Sequence, residues 1–245
     1  MTILIPVRPA DCDTYGHVNN AAYIAYMEQA FTAWLRDLGV DISSGWMLAG
    51  TDSWQPGEIA VIYNRPAYVG QTLTATVWLE SVDRDHLATG CAINHAAGET
   101  VLQGYAQWRR VDRQTGELLP LPQEIIAALG DHSAGENKPA GAKTPTLQMP
   151  PDPAHEIPSF RWAHTVRRSE IRAGDWLHPA ALLHWIEEAV YIASAAVGWP
   201  AERIVGQGMV IVQHRHDLLI HALPRRGEEV EVVSRVIAVR KIRGT

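Results

Sequence analysis

Cysteine is scarce in this chain: Cys12 and Cys91 are the only two among 245 residues. Two cysteines make no disulfide framework, so packing must hold the fold, and the cytosol is the expected compartment. Long apolar runs are missing too. AVYIA at 189–193 is among the longest, far short of a membrane span. The opening MTILIPVRPADCD has no basic segment followed by an apolar stretch, so no signal peptide is expected. Positive charge is not in excess, with 21 Lys and Arg against 27 Asp and Glu. Such a balance gives no field to hold a polyphosphate backbone, so neither a nucleic acid nor a membrane is an expected partner. G-x-x-x-x-G-K-[ST], G-x-G-x-x-G and G-x-S-x-G are all absent. That argues against a P-loop, a dinucleotide fold and an α/β-hydrolase. What remains is 47% hydrophobic and 20% charged, a balance that buries a core, in a chain too long for one small domain.

One segment differs in composition. Residues 131–159, DHSAGENKPAGAKTPTLQMPPDPAHEIPS, are rich in proline and glycine and poor in large apolar residues, and read as a linker between 1–130 and 160–245. The two sides repeat each other. NNAAYIAYMEQAFTAWLRDLG (19–39) carries apolar residues at 23, 26, 27, 30, 31, 34, 35 and 38, the stripe of a helix with one buried face. HPAALLHWIEEAVYIASAAVG (178–198) places the same stripe at a constant offset, with Glu28 falling on Glu187 and Gly39 on Gly198. Asn19 is a natural N-cap, Pro179 suits a first helical position, and the two glycines suit C-terminal stops.

Strand-like runs follow each helix. Residues 59–82 form two, broken at Pro66 and Gly70, with Leu73, Ala75, Val77 and Leu79 alternating with threonines. Residues 217–239 repeat the run, break and run. The first copy adds strands over 86–95 and 100–112 and an amphipathic tail, LPQEIIAAL. By the offset Thr245 falls near Ala88, so nothing in the second copy matches those last two strands, and an unpaired edge is expected there. A long helix before strands of this length must lie on the sheet, an α+β architecture present twice.

The densest polar cluster is VRPADCDTYGHVNNAAYIAYME (7–28), directly before the first helix. A helix start offers unpaired N–H groups and a partial positive charge, which suit a developing oxyanion. A carboxylate just upstream can serve as base or nucleophile beside it. Asp, Asn and Gly before a helix are also ordinary capping and turn residues, and capping accounts for Asn19 by itself.

The run D-C-D-T-Y-G-H-V-N-N-x-x-Y-x-x-Y-x-E (11–28) resembles the opening motif of hotdog-fold thioesterases, both the 4-hydroxybenzoyl-CoA thioesterase group and the acyl-ACP thioesterases. The resemblance extends over the first copy to QWRRVDRQTGELLPLP. It implies a long central helix wrapped by an antiparallel sheet and, with the repeat, a tandem double hotdog. It implies hydrolysis of acyl-CoA or acyl-ACP without a cofactor or metal. Asp13 matches the family's catalytic aspartate and His17 the histidine of the acyl-ACP branch. Tyr15 stands where that branch has an asparagine, so that amide's role does not carry over. Tyr15, Asn19, Asn20 and Tyr23 are the implied substrate-binding residues, with the thioester carbonyl polarised by N–H groups at Asn19 and Asn20. The stretch VRRSEIRAGDWLHPAALLHWIEEA (166–189) resembles the non-catalytic hotdog of acyl-ACP thioesterases. Asp13 falls on Arg172 and His17 on Trp176, so one working site per chain is implied, with the second copy as its wall.

Other residues receive blander readings. Glu28 and Glu187 share a helix position, and because the copy without the catalytic pair keeps the glutamate, both read as structural. Asp11, matched by Glu170, reads the same way. His214 and His216 would point one way on a strand, but no further ligand type completes a metal set. Cys12 between two aspartates reads as packing. Trp34 and Trp185 fit helix stripes, while Trp46 and Trp54 fall in a loop that would close over an acyl chain. Arg65, Arg109, Arg110 and Arg113 are candidates for CoA phosphates against a background of ordinary surface arginine. Two other functions stand beside hydrolysis. One is an enoyl-thioester hydratase or dehydratase, whose D-x-N-P-x-H arrangement is absent. The other is a non-catalytic acyl-thioester binder. A homodimer is open, since an exposed edge invites pairing.

Overall fold

The computed structural model describes residues 1–40, 51–130, 134–150, 157–172 and 175–237. Strand β1 (Thr2–Pro6) leads through a 3-10 turn (Pro9–Asp11) and a tight loop into helix α1 (Asn20–Asp37). Strands β2 (Asp52–Tyr63), β3 (Thr72–Val82), β4 (Leu87–His95) and β5 (Thr100–Asp112) follow, then the short β6 (Leu118–Leu119) and helix α2 (Gln123–Gly130). The second part has β7 (Ser159–Thr165), a 3-10 turn (Arg168–Glu170), α3 (Pro179–Ala196), α4 (Ala201–Gly206), β8 (Arg215–Leu219) and β9 (Glu229–Arg235). No described helix is long and apolar enough to cross a membrane.

Local chemistry sets the ends of α1. Asn19 caps it, its side chain accepting from Ala21 N–H at 2.7 Å. Gly39 ends it in the left-handed region, φ 75°, which costs a glycine little. The apolar stripe is buried: Tyr23, Tyr26, Met27, Ala30, Phe31 and Trp34 all lie in the core. Phe31 stacks on Trp108 of β5 at 4.1 Å between centroids. Helix and sheet meet closely at Gly104, where an added Cβ would lie 2.7 Å from the Met27 methyl. The sheet runs β1-β3-β4-β5-β2-β8, antiparallel in every pairing, with β6 on β5. A long helix held against such a sheet is the hotdog arrangement.

The repeat read from sequence is written into the register. Pro6 pairs with Thr72 in β1–β3, and Thr165 with Glu229 in β7–β9, the same relative register. The bridges Cys12–Val18 and His17–Tyr68 recur as Ile171–Leu177 and Trp176–Arg225. Gly16, at φ 77°, has Asp175 as its counterpart at φ 67°. Strand β8 pairs with its own counterpart β2: Glu58 opposes Leu219, Ala60 opposes Asp217 and Ile62 opposes Arg215. The pairing is therefore symmetric about Ala60 and Asp217, a local two-fold between the repeats. The helices obey it as well. The start of α1 meets α3 where Asn19 touches Glu187, and the start of α3 meets α1 where His178 touches Glu28.

In the first repeat β4 and β5 join β3 to β2. Among the described residues nothing joins β9 to β8, which lie in separate sheets. The apolar stripe of α3 is correspondingly less covered, and Val197 at its end is 63% exposed.

Two expectations need correction. Trp54 is not in a loop: β2 starts at Asp52, and Trp54 is buried edge-on to Phe31, because alternation in the strand turns it into the core. Trp46 lies outside the described residues. The linker, over 134–150, is a strap docked on the sheet. Gly135 N–H donates to Leu79 O at 2.8 Å, Lys138 lies 3.5 Å from Glu80, and the Thr144 hydroxyl donates to Glu80. Arg215 then donates to Thr146 O at 2.6 Å. The strap's small and polar residues leave its backbone free to make these bonds. Its boundary also shifts, since Ser159 already belongs to β7.

Candidate functional site

The loop before α1 is built around Asp13. Its Oδ1 accepts from Tyr15 N–H at 2.8 Å and from His17 N–H at 3.1 Å, and its own N–H donates to His17 O at 2.7 Å. Gly16 supplies the positive φ that closes this turn. One carboxylate oxygen is thus pinned, and Oδ2 has no hydrogen bond among the described residues. The helix start is partly satisfied. Ala21 N–H goes to the Asn19 side chain and Ala22 N–H to Asn19 O at 2.9 Å. Asn20 N–H has no partner among the described residues, so it remains for a ligand.

These groups open into one cavity of about 680 Å³. Asp13, Tyr15, His17, Asn19, Asn20 and Tyr23 all line it. All six residues expected at a site therefore share one cavity. The His17 ring stands edge-on to Tyr68 at 5.1 Å, which fixes its plane. Tyr23 is buried, its ring 5.8 Å from Tyr63. Burial pushes both phenols above the ordinary tyrosine range, so they stay protonated donors. The Tyr63 hydroxyl meets His216 Nδ1 at 3.0 Å.

The other wall comes from the second repeat: Glu187 and Tyr191 of α3, and Val210, Ile211, Val212 and His214 before β8. Glu187 Oε2 accepts from Asn19 Nδ2 at 3.0 Å. Burial pushes the Glu187 carboxyl above its ordinary range, the Asn19 bond opposes this, and the Asp13 charge adds to it. Tyr191 lines the cavity with Tyr15, and burial, with Tyr15 beside it, pushes its phenol above the ordinary tyrosine range. The resemblance implies a wall from the second copy but names none of these residues. The signal available was the offset itself, which puts Glu187 opposite the first helix once the repeats are paired about a two-fold.

The two-fold counterpart of this site is filled. Arg172, in the place of Asp13, donates to Glu28 and to Trp54 O. His178, in the place of Asn19, lies 3.1 Å from Glu28. Burial opposes ionisation of Glu28, but Arg172 and His178 outweigh it and hold the carboxyl below its ordinary range. Glu28 is thus taken up by an ion cluster, whereas Glu187, at the same helix position, faces the cavity. Asp11 is buried and bound by Arg8 N–H at 2.9 Å and the Tyr26 hydroxyl at 2.9 Å, a structural anchor for the loop.

Of the four candidate arginines, only Arg65 lines the cavity, 3.4 Å from exposed Glu99. Arg109 donates to Ile220 O and His221 O, both at 2.8 Å, and Arg110 pairs with Asp52 at 2.9 Å. Arg113 is buried, donating to Asp52 O at 2.8 Å. Those three tie the sheet together, because alternation and twist turn them toward backbone carbonyls. His214 lines the cavity while His216 faces Tyr63, and no group of three metal-ligating side chains exists among the described residues.

A family model described as the thioesterase-like superfamily matches residues 7–129. Among curated proteins the chain is similar to the long-chain acyl-CoA thioesterase FadM of Escherichia coli, strain K12. The two are 28% identical over 128 residues, 51% of this chain and 93% of FadM. Among solved structures it is similar to the 12:0-ACP thioesterase of Umbellularia californica, with TM-score 0.66, 13% identity, and 94% of this chain and 80% of that one covered. It is also similar to an acyl-ACP thioesterase of Bacteroides thetaiotaomicron, with TM-score 0.59, 15% identity, and 94% and 84% covered. At these identities the structural likeness shows the fold.

Proposed function

Because this chain belongs to the thioesterase-like superfamily, we propose that its cavity hydrolyses acyl thioesters of coenzyme A or acyl carrier protein to a carboxylic acid and a free thiol. One observation carries this reading. A carboxylate pinned through Oδ1 and open at Oδ2 stands beside a helix start whose Asn20 N–H has no partner among the described residues, in one cavity. The thioester oxygen is received by that N–H, where negative charge develops as the carbonyl is attacked. Asp13 either attacks the carbonyl carbon or takes a proton from the attacking water. The C–S bond then breaks and the thiolate leaves to be protonated; in the first case a mixed anhydride with Asp13 remains, which water cleaves to the free acid and the restored carboxylate. His17 and the Tyr15–Tyr191 pair border the reacting carbon. Tyr23, Tyr63, Val210 and Val212 offer ring and aliphatic surface to the acyl group.

The same reading makes the chain a tandem double hotdog, with a catalytic unit over 1–130, a strap, and a degenerate unit that serves as the cavity's second wall. The repeated register and the local two-fold support it. One site per chain follows, since Arg172 occupies the place of the second carboxylate. The two free cysteines suit a reducing compartment such as the cytosol.

The test is thiol release from a panel of short, long and aromatic acyl-CoAs and acyl-ACPs, with wild type beside Asp13→Asn. Turnover by wild type that falls at least about a thousandfold in the variant is the expected result. Unchanged turnover in Asp13→Asn would sink the scheme. Absence of turnover on every CoA and carrier-protein substrate by folded protein would sink the activity itself.

A further inference from the structure

Asn19 uses both ends of its amide. Oδ1 accepts from Ala21 N–H at 2.7 Å, and Nδ2 donates to Glu187 Oε2 at 3.0 Å. Each bond asks for the same orientation, oxygen toward the backbone N–H and nitrogen toward the carboxylate, and the two together hold it more firmly than the cap bond by itself. With an acceptor on one side and a backbone donor on the other, only one orientation satisfies both. That orientation satisfies Ala21 N–H internally and leaves Asn20 N–H for a ligand. The acceptor comes from the other repeat.

The twin site shows what the same glutamate does when it is purely structural. There Glu28 is buried against the Arg172 guanidinium and the His178 imidazole, which take the space beside it. Among the described residues Glu187 has no ion pair with an arginine, and the imidazole of exposed His184 lies 3.9 Å from it. A half-buried carboxylate facing Asp13 without a close cation is costly, and its one short bond goes to the cap of the helix that receives the substrate.

We infer that Glu187 is a positioning residue of the active site: through Asn19 it locks the orientation of the α1 cap and thereby holds Asn20 N–H where the thioester oxygen must lie. The inference rests on the thioesterase reading and deepens it, since the site of the first repeat then depends on a residue of the second. Glu187 acts through Asn19 and exchanges no proton with the substrate.

The test is steady-state kinetics of the full chain on the best substrate of the panel. The proteins compared are wild type, Glu187→Ala, Glu187→Gln, Asn19→Ser and the double variant Asn19→Ser/Glu187→Ala, each with a thermal melt. Wild-type turnover lost in Asp13→Asn establishes the reading first; its absence sinks the reading, whatever Glu187 does. Given turnover, Glu187→Ala lowers kcat about ten- to a hundredfold with KM within about threefold, as expected for misplaced oxyanion binding. Glu187→Gln keeps an acceptor oxygen and restores kcat to within about threefold of wild type. Asn19→Ser keeps a capping oxygen but cannot reach Glu187, so adding Glu187→Ala to it costs nothing further. Three results would each overturn the inference: Glu187→Ala with wild-type kcat, Glu187→Gln as slow as Glu187→Ala, or a double variant well below Asn19→Ser. If Glu187→Ala does not fold, Glu187→Gln and Asn19→Ser still decide. Glu187→Gln falling tenfold or more would show that the charge or its proton is needed, and near-wild-type kcat in Asn19→Ser would show that the lock is not.

Discussion

Acid should loosen the junction between the repeats through His216. This residue sits on β8, 7% exposed, with Nδ1 3.0 Å from the Tyr63 hydroxyl. Burial pushes its pKa down from 6.5 to about 4, and nearby Asp217 opposes only part of that. The folded protein therefore holds His216 neutral where the unfolded chain would already bind a proton. Stability attached to this group is full at neutral pH and is lost as pH falls from 6.5 toward 4. Going from about pH 8 to about pH 5 should cost about 2 kcal/mol, approaching about 3 kcal/mol below pH 4. Carboxyls held below their ordinary range, such as Asp11, Glu28 and Glu170, lose their contribution mainly at lower pH, while Glu187, held above its range, offsets part of the loss, so the comparison with a His216 variant isolates the imidazole. Urea denaturation at the two pH values, for wild type and His216→Asn, measures it. The asparagine oxygen replaces Nδ1 as acceptor for Tyr63 and does not titrate, so the variant should lose most of the slope. Equal slopes in the two proteins, or an imidazole titrating near 6.5 by NMR, would refute the reasoning.

Arg172→Ala should destabilise the fold by about 3–5 kcal/mol in denaturant melts, because Glu28 stays buried with only His178 beside it. Arg172→Met with Glu28→Leu should recover most of that loss, since no charge is then left uncompensated. Gly90→Ala should cost about 1–3 kcal/mol, as its Cβ would lie 2.3 Å from the buried Trp78 ring, and should also loosen the strap that docks through Lys138 over that ring. In single turnover in 18O-water, a nucleophilic Asp13 whose anhydride is cleaved at the aspartyl carbon would carry the label in its own carboxyl by mass spectrometry, whereas a general-base Asp13 would stay unlabelled and put one label into the acid product.

Much of this was legible in the residues because two independent periodicities agreed. The stripe at Tyr23, Tyr26, Met27, Ala30, Phe31 and Trp34, bracketed by Asn19 and Gly39, describes one helix with one buried face, and that is α1. Copying the stripe at a constant offset made the second helix and both turns visible. What lay out of reach was everything that depends on how the copies face each other. Trp54 was misplaced because Pro56 and Gly57 look like loop punctuation, yet β2 runs through them with a register shift at that point. The strap's docking was hidden because Lys138 and Thr144 find Glu80 only in three dimensions. Six of the cavity's first-repeat residues were readable from the motif; its second wall carries no motif, only positions.

The two glutamates show why a shared position does not imply a shared role. Glu28 and Glu187 are equivalent by the helix offset and by the two-fold that relates Asn19–Glu187 to His178–Glu28. What differs is the residue each one meets. Where Arg172 stands, a guanidinium fills the space a substrate would need and compensates the carboxylate, so the pocket closes into a buried ion cluster that joins the repeats. Where Asp13 stands, the side chain is two bonds long and already tied to its own turn, so the space stays open and the opposing carboxylate finds an amide instead of a cation. Closure of the pocket in one copy and a gain of adhesion between copies thus follow from one change of side chain. A chain with two open sites would have four carboxylates, Asp13, Glu187 and their counterparts, uncompensated between its repeats. Converting one site into an ion cluster removes half of that repulsion and leaves the other site backed by a rigid wall.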